Sequence, residues 1–282
     1  MKFGLALAQA NPAAHLEIAQ AAEASGYESV WASEHLVLPV DMAGSPHPGS
    51  EAPPIPPSVP IHDPFAWLSF LAAHTERLRL GLNVYLLGIR HPFSAARAVA
   101  TLDHVSRGRA EIGIGAGWLR EEWTAAGLDP ATRGRRLDEA LLVCKRLWSE
   151  PTVEHHGEFF AFDEVAFEPK PVQRPWPRIH VGGESDAALR RAVLHGGGWL
   201  GLSHTPESAA AVLARLQAIR EDHELERDAF EVTVQAPAPD AAAIAAFERL
   251  GVDRLIVHPW SRSREAVAAL RDYASSLELA AR

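Results

Sequence analysis

The sequence alternates eight times between a short apolar run and a longer stretch with helical periodicity. We predict strands for the apolar runs, at residues 2–8, 28–32, 78–84, 110–115, 178–182, 198–202, 231–235 and 254–258. We predict a helix after each strand, at residues 12–25, 64–75, 93–105, 135–149, 186–194, 206–223, 240–250 and 263–277. Because parallel strands are joined by crossovers long enough to hold a helix, this order predicts an α/β fold with a parallel sheet.

Eight consecutive strand–helix units favour closure into a (β/α)8 TIM barrel, with an open doubly wound sheet as the competing topology. Three helical segments begin with a capping residue directly followed by proline, at Asn11, Asp63 and Thr205. The 282 residues fit one barrel, and no linker to a second domain stands out. We therefore predict a single domain over residues 1–282 with inserted loops.

Two segments interrupt the alternation. Residues 39–64 contain nine prolines and follow the second predicted strand, so they leave from the carboxyl end of the barrel. Such a loop is either a lid over a substrate or a disordered excursion, and the sequence leaves both open. Residues 151–177 contain several phenylalanines around Asp163 and Glu164, and this pattern predicts a short hairpin at that point.

Composition excludes several classes of protein. A formal net charge of −9 argues against a general nucleic-acid binder, whose surface would be basic. The single cysteine, Cys144, excludes an intrachain disulfide and is expected to be a buried apolar thiol. The apolar start of the chain is too short for a signal peptide or a membrane span. We therefore expect a cytoplasmic protein with no membrane partner.

Candidate catalytic residues follow the second predicted strand, where Glu34 and His35 would project at the barrel mouth. A histidine at this position can relay a proton near neutral pH, although it could also simply close the loop. After the fourth strand, Gly113, Gly115 and Gly117 alternate with other residues and precede Trp118. This spacing lets a flat ligand approach the backbone but departs from the dinucleotide-binding fingerprint.

A third candidate site is the turn after the fifth predicted strand. Gly182 and Gly183 end that strand, and Ser185 can cap the next helix, whose free N–H groups could bind a phosphate. Glu184 and Asp186 favour an ordinary capped turn instead, unless a neighbouring arginine offsets their charge. The fourteen histidines form no spacing typical of a metal site, so we predict no metal and disfavour a metal-dependent hydrolase.

Several stretches, taken in order, resemble the luciferase-like monooxygenase superfamily, and within it the deazaflavin-dependent oxidoreductases that use coenzyme F420. They are LDHVSRGR at 102–109, GIGAGWLREEW at 113–123, RGRRLDE at 133–139, EPKPVQRP at 168–175 and VGGES at 181–185. The resemblance covers nearly the whole chain. It implies a flavin-like ring across the mouth of the barrel and a phosphate-bearing tail among the strand–helix loops.

The resemblance also assigns roles to individual residues. Glu34 and His35 would be the catalytic pair beside the ring, and Trp118 would contact the substrate. The other positions would bind the cofactor: a cis peptide bond between Asn83 and Val84 behind the ring, Gly115, and a phosphate turn formed by Gly182, Gly183, Ser185 and Ser203. Glu34 stands where relatives often carry aspartate, and Glu184 adds a negative charge beside the expected phosphate.

The resemblance implies hydride transfer between coenzyme F420 and a small organic substrate. An FMN-dependent two-component monooxygenase of the same fold is the nearest alternative. A barrel that binds a flavin or deazaflavin without catalysis is another. We expect a homodimer, the commonest symmetric assembly. The sequence does not identify the substrate.

Overall fold

Eight parallel strands close into a barrel in the computed structural model, which describes residues 1–8, 10–42, 44–45, 55–223 and 230–279. Around the barrel the strands are ordered β1-β10-β9-β8-β7-β4-β3-β2. Their bounds are β1 (Lys2–Ala6), β2 (Ser29–Ala32), β3 (Arg79–Leu82), β4 (Ala110–Ile114), β7 (Ile179–Gly182), β8 (Gly198–Gly201), β9 (Glu231–Gln235) and β10 (Arg254–Val257). The TIM-barrel prediction is confirmed.

Helices surround the barrel and return the chain from the carboxyl end of each strand to the next strand. In the described part of the chain they are α1 (His15–Ala24), α2 (Pro64–Ala72), α3 (Pro92–Val105), α4 (Arg120–Ala125), α5 (Arg133–Ser149), α6 (Asp186–His195), α7 (Pro206–Asp222), α8 (Ala241–Arg249) and α9 (Ala266–Ser276). Asn11, Asp63 and Thr205 accept hydrogen bonds from backbone N–H groups as predicted. The short helix α4 was not predicted.

The hairpin predicted within the second interruption is present. Its strands are β5 (Thr152–His156) and β6 (Ala161–Ala166), paired antiparallel outside the barrel. Asp163 and Glu164 lie within β6. The turn begins at Gly157, whose N–H donates to the carbonyl of Phe160.

One large side chain, that of Trp31, fills much of the barrel interior near the mouth. The indole of Trp31 occupies space left by Gly4 and Gly81, where any Cβ would collide with it. Its Nε1 donates to Ser29 Oγ at 2.9 Å. With Ala6, Leu200 and Ile256, the indole forms a small apolar cluster in the barrel. The barrel is therefore a packed core that closes the mouth from below.

Other expectations concern single features. Cys144 is fully buried, and burial raises the pKa of its thiol. Much of the proline-rich loop, residues 43 and 46–54, lies outside the described residues, so the choice between lid and excursion stays open. Among the described helices, none combines the length and the hydropathy that a membrane crossing requires.

Candidate active site

The apolar cluster inside the barrel forms the floor of the mouth. Val84, which follows β3, is half-buried and packs on Ala6, Trp31, Leu200 and Ile256. The peptide bond between Asn83 and Val84 is cis, at the position expected from the sequence. Val84 therefore presents an apolar side chain above this buried cluster, at the carboxyl end of the strands, where barrel enzymes bind their ligands.

Two of the glycines that we expected to bind a cofactor make room for Val84. A Cβ on Gly115 would lie 2.6 Å from Val84 Cγ2, and a Cβ on Gly182 would lie 2.9 Å from Val84 Cγ1. Next to Val84, the Asn83 amide donates to Gln235 Oε1 across the mouth at 2.7 Å. Glycine is therefore needed at both positions because a larger residue would collide with Val84.

Glu34 lies beneath the mouth surface, with a side chain that is 1% exposed. Both of its oxygens accept from the Arg90 guanidinium, at 2.9 and 2.7 Å, and one also accepts from the Leu86 N–H. Burial raises the pKa of Glu34, while Arg90 and the Leu86 N–H oppose that rise. This bidentate pair ties β2 to the segment that follows the cis peptide bond.

His35 lies beside the mouth and is paired with a carboxylate that the sequence did not single out. Its Nδ1 is 2.8 Å from Oε2 of Glu122, which is 1% exposed and lies on α4. The other Glu122 oxygen accepts from the N–H groups of Leu36 and Val37. With the hydrogen on Nδ1 donated to Glu122, Nε2 of His35 is left as an acceptor. The ring of Trp118 stands edge-on to His35, with centroids 5.8 Å apart.

The expected phosphate turn lies at the exposed N-terminus of α6. Gly183 adopts a φ of +105°, and Ser185 Oγ accepts from the Ala188 N–H at 3.2 Å. The two acidic neighbours each lie close to a side chain on the β8–α7 side. Glu184 lies 3.2 Å from Nε2 of His204, and Asp186 lies 2.5 Å from the guanidinium of Arg215.

Of the other residues considered for this turn, one lies elsewhere and one lies beside it. Arg191, which we considered as an offsetting charge, pairs instead with Asp138 on α5, 3.0 Å from Oδ2. Ser203 is exposed in the loop after β8, with a φ of +58°. Because β8 pairs with β7, this loop neighbours the phosphate turn. The structure brings Gly182, Gly183, Ser185 and Ser203 to one side of the mouth.

Sequence reasoning missed several polar groups of the mouth. Glu122 is 87 residues from His35 in sequence, and only the docking of α4 brings them together. His258 Nδ1 and Trp260 Nε1, just after β10, are buried without a hydrogen-bond partner. Buried polar atoms normally find partners, so these two are available for a ligand. The position of His258 at the carboxyl end of a predicted strand was the signal that could have identified it.

A second polar cluster lies at the opposite end of the barrel, where the strands begin. Arg254, fully buried, donates to Glu28, Glu231 and Thr233. Glu111 accepts from Arg79 at 2.5 Å and pairs with His180 Nε2 at 2.7 Å. The set of Glu111, His180 and Glu231 has metal-ligand spacing. Its carboxylates already contact three basic side chains, Lys2, Arg79 and Arg254, so a divalent cation would meet strong repulsion.

Known proteins resemble this chain along nearly its whole length. A protein of Mycobacterium tuberculosis without a characterised function is 31% identical over 223 residues, which are 79% of this chain and 76% of the relative. The monooxygenase RslO1 from Streptomyces bottropensis shares the fold with a TM-score of 0.78, 22% identity and complete coverage of both chains.

An F420-dependent secondary alcohol dehydrogenase, solved with an F420-acetone adduct, gives the same TM-score of 0.78, with 16% identity and 98% coverage of both chains. At these identities the solved structures show the fold alone. The model of the luciferase-like monooxygenase family matches residues 1–256. The chain therefore belongs to the luciferase-like monooxygenase family.

Proposed function

We propose that this protein transfers a hydride between coenzyme F420 and a small organic substrate at the barrel mouth. The observation that carries the proposal is the buried carboxylate–histidine pair of Glu122 and His35 beside the apolar floor at Val84. A pair of this kind orients an imidazole for proton transfer. The floor offers a flat ring an apolar surface to lie on.

The residues at the mouth fit a coenzyme with a planar ring and a phosphate. Val84 and Asn83 would support the ring from behind, and the unpartnered Nδ1 of His258 and Nε1 of Trp260 could bind its polar edge. Backbone N–H groups at the N-terminus of α6 would bind the phosphate, next to Ser185 and Ser203. The Arg215 guanidinium lowers the repulsion from Asp186.

His35 would handle the proton that accompanies the hydride. When bound, the deazaflavin ring supplies a carbon that accepts or donates the hydride. Glu122 fixes the Nδ1–H tautomer of His35 and would stabilise the imidazolium that forms when Nε2 takes up a proton. Glu34, paired with Arg90, would be the second catalytic-site carboxylate and would hold the segment after β3 in place. Trp118, in contact with the His35 ring, would pack against the substrate.

A second candidate is an FMN-dependent monooxygenase. An FMNH2-dependent dimethylsulfone monooxygenase of Pseudomonas putida is 36% identical over 121 residues, 42% of this chain and 33% of that relative. Among the solved structures, the monooxygenase RslO1 and the F420-dependent dehydrogenase share the fold of this chain with the same TM-score of 0.78, so they do not decide between the two coenzymes. We favour coenzyme F420 because the stretch at 113–123, which carries Trp118 and Glu122, resembles the deazaflavin branch.

The deciding experiment titrates the purified protein with oxidised F420 and, separately, with FMN. Tight binding of F420, followed by loss of ring absorbance when substrate is added, supports the proposal. Preferential binding of FMN together with oxygen consumption would favour the monooxygenase. If either ring bound but was never reduced across a substrate panel, the barrel would be a binding protein instead.

The catalytic role of His35 has its own test. We expect His35→Ala to lower turnover by about 10²–10⁴-fold, the usual contribution of a general acid or base, with F420 affinity nearly unchanged. Full turnover with intact coenzyme binding would contradict the assignment. We also propose a homodimer, which sedimentation analysis of the same preparation would reveal.

A further inference from the structure

A polar cavity of about 500 Å³ lies at the amino end of the barrel strands, opposite the mouth. Its volume is within the range of small-molecule binding sites. The residues that line it come from the starts of the strands, from α5, from the connection at 173–178 and from the turn between α6 and β8. Neither the proposed hydride transfer nor the coenzyme site at the mouth involves this cavity.

The side of the cavity that the strands form contains carboxylates whose charge is already matched. These are Glu28, Glu111 and Glu231. Arg254 forms an ion pair with each of them, at 2.8 Å for Glu28 and 3.7 Å for Glu111. Two of the three also pair with further basic side chains at the strand starts. These carboxylates therefore do not neutralise the cations on the other side of the cavity.

The side formed by α5 and the connection at 173–178 contains basic residues without acidic partners. Lys145 on α5 is half-buried, and burial lowers the pKa of its ammonium; no carboxylate in the described chain opposes that shift. Its Nζ donates to the carbonyl of His195 at 2.5 Å and lies 4.9 Å from the centre of the Trp176 ring. Because an ammonium has three N–H donors, others remain for a ligand. Arg174 also lines the cavity and pairs with no carboxylate among the described residues.

The backbone that carries Arg174 is held in place by the preceding residue. The Gln173 N–H donates to Oδ2 of Asp103 at 2.8 Å, and the Gln173 amide donates to Oδ1 of Asp103 at 2.7 Å. Asp103 is fully buried. The same amide donates to the Ala110 carbonyl at 2.9 Å, and its oxygen accepts from Arg79 at 3.2 Å. The connection is thus fixed to the strands at the point where Arg174 enters the cavity wall.

These basic residues point to an anionic ligand. The chain as a whole has a formal net charge of −9, so a cavity wall with unmatched cations stands out. A half-buried ammonium without a counter-charge costs free energy, which a bound anion would recover. A phosphate monoester carries nearly two negative charges and three acceptor oxygens, which suits Lys145 and Arg174 together. The strand-side carboxylates would repel a second anionic group, whereas the partly exposed Glu28 can accept from an uncharged hydroxyl.

We infer that the amino end of the barrel holds a binding site for a small organic phosphate monoester whose remaining groups are uncharged and polar. Lys145 and Arg174 bind the phosphate. The hydroxyl groups of the ligand face the carboxylates on the strand side. The site is separate from the mouth and does not depend on which coenzyme binds there. Because its ligand binds the folded chain, occupancy also stabilises the fold by mass action.

The test titrates the purified protein with glycerol 2-phosphate by calorimetry at pH 8, about two units above the second pKa of a phosphate monoester. We expect saturable binding that weakens as sodium chloride is added. Glycerol, which lacks the phosphate, should not bind. 2-Phosphoglycerate has a carboxylate in place of one CH2OH group and should bind about tenfold more weakly, because that carboxylate meets like charge. Absence of glycerol 2-phosphate binding, or equal binding of 2-phosphoglycerate, would overturn the inference.

Variants then locate the phosphate. Lys145→Met should weaken binding of glycerol 2-phosphate about tenfold, as expected for the loss of a hydrogen bond from a charged group. Lys145→Arg keeps the charge and should retain most of the affinity. Arg174→Met should weaken binding about threefold, because Arg174 is exposed. Arg271→Met is the matched control, since Arg271 is exposed on α9 and does not line the cavity. Equal losses in all three methionine variants would show that only net charge matters, which contradicts a site.

The phosphate turn at the mouth is the competing location for the ester. If Ser185→Ala weakened binding of glycerol 2-phosphate and Lys145→Met did not, the ester would bind at the mouth and the inference would be wrong. Competition between F420 and glycerol 2-phosphate would lead to the same conclusion. The two proposals can also fail separately. Binding of the ester without any binding of F420 would retain the site at the amino end and remove the proposed hydride transfer.

Discussion

The two ends of the barrel use polar residues in different ways. Where the strands begin, Arg254 is fully buried and donates to Glu231 and Thr233 on the neighbouring β9 and to Glu28, directly before β2. Where the strands end, polar side chains form isolated pairs, such as His35 with Glu122. His258 Nδ1 and other groups there lack partners. The first arrangement, which we call closed, is a connected network of ion pairs in which His180 Nδ1 is a buried atom without a partner. The second, which we call open, is a set of separate pairs.

This difference separates stability from function within one fold. In a network whose members satisfy one another, removing one group leaves several buried charges without compensation. In a set of pairs around an open mouth, a change alters ligand binding and leaves most of the fold intact. Barrel enzymes generally place their chemistry at the carboxyl end for this reason. The predictions below test the division, starting with the largest expected effect.

Removing the centre of the closed network should cost most. Arg254→Met leaves the carboxylates of Glu28 and Glu231 without their buried counter-charge, and we expect a loss of about 3–5 kcal/mol in the free energy of unfolding. Urea denaturation at pH 7 would measure it. Lys2→Met is the control: Lys2 contacts the same Glu231 but is 47% exposed, so its loss should cost about 0–1 kcal/mol. If both substitutions lowered the free energy of unfolding equally, burial would not explain the strength of the Arg254 ion pairs.

The same substitution should leave the mouth unaffected. The folded fraction of Arg254→Met should bind F420 with the affinity of the unchanged protein. Lost affinity in that fraction would mean that the two ends are coupled. The most direct route for such coupling is the ring of Trp31, whose centroid lies 5.3 Å from the Arg254 guanidinium and whose indole supports the floor.

Overpacking the mouth should have the next largest effect, and mainly on binding. In Gly115→Ala, the new methyl group would lie 2.6 Å from Val84 Cγ2 and displace it from the floor. We expect a loss of about 1–3 kcal/mol in F420 binding, measured by titration. Adding Val84→Ala should restore part of it by removing the clash. In the control Gly134→Ala on α5, the new methyl group would meet only Arg191 Nη2, at an ordinary 3.5 Å.

Strand pattern and the family resemblance together predicted where several residues of the open end lie in the fold. Glu34, His35, Asn83 and Gly182 all lie at or just beyond predicted strand ends, and closure of the barrel brings such positions together. Glu122 was missed because α4 has six residues, and its contact with His35 depends on how the helix docks. A short helix carries too few periodic residues to show which face is buried.

The closed end was overlooked although its signal was present. Glu28, Arg79, Glu111, Glu231 and Arg254 each stand at or near the start of an otherwise apolar predicted strand. One charge in a buried strand suggests an exposed end, and several on neighbouring strands suggest a network. The direction of each side chain decides whether its charge lies in solvent or in a buried network. Direction depends on the register between strands, which the linear sequence does not contain.

A smaller effect is expected at the pair that orients His35. Glu122→Gln retains an oxygen for the Leu36 N–H but removes the charge beside Nδ1. We expect kcat to fall about tenfold, as for the loss of a hydrogen bond to a charged group, with KM and F420 affinity nearly unchanged. Glu121→Gln, one residue earlier on α4, is the control. A rise in KM without a fall in kcat would indicate a merely structural role for Glu122.

The smallest expected effect is a difference between the two ends in how they change the free energy of unfolding with pH. Burial lowers the pKa of His258, so the folded state favours the neutral ring. Its contribution to stability is complete above the ordinary pKa of 6.5 and is lost as pH falls through the lowered value. At the other end, burial alone would raise the pKa of Glu111. The hydrogen bond and charge of His180, with Arg254 and Arg79, instead hold it well below its usual range.

Between pH 8 and 5, therefore, Glu111 remains ionised, while the mouth responds through His258. The free energy of unfolding, compared between the unchanged protein and His258→Gln, should diverge as pH falls below 6.5. The slope should stay below about 1.4 kcal/mol per pH unit, the limit for one proton, because the ring is partly exposed. Taking the difference removes the contributions of the other histidines. Parallel curves would show that His258 finds a partner in solution, and the contrast between the two ends would then be weaker than the structure indicates.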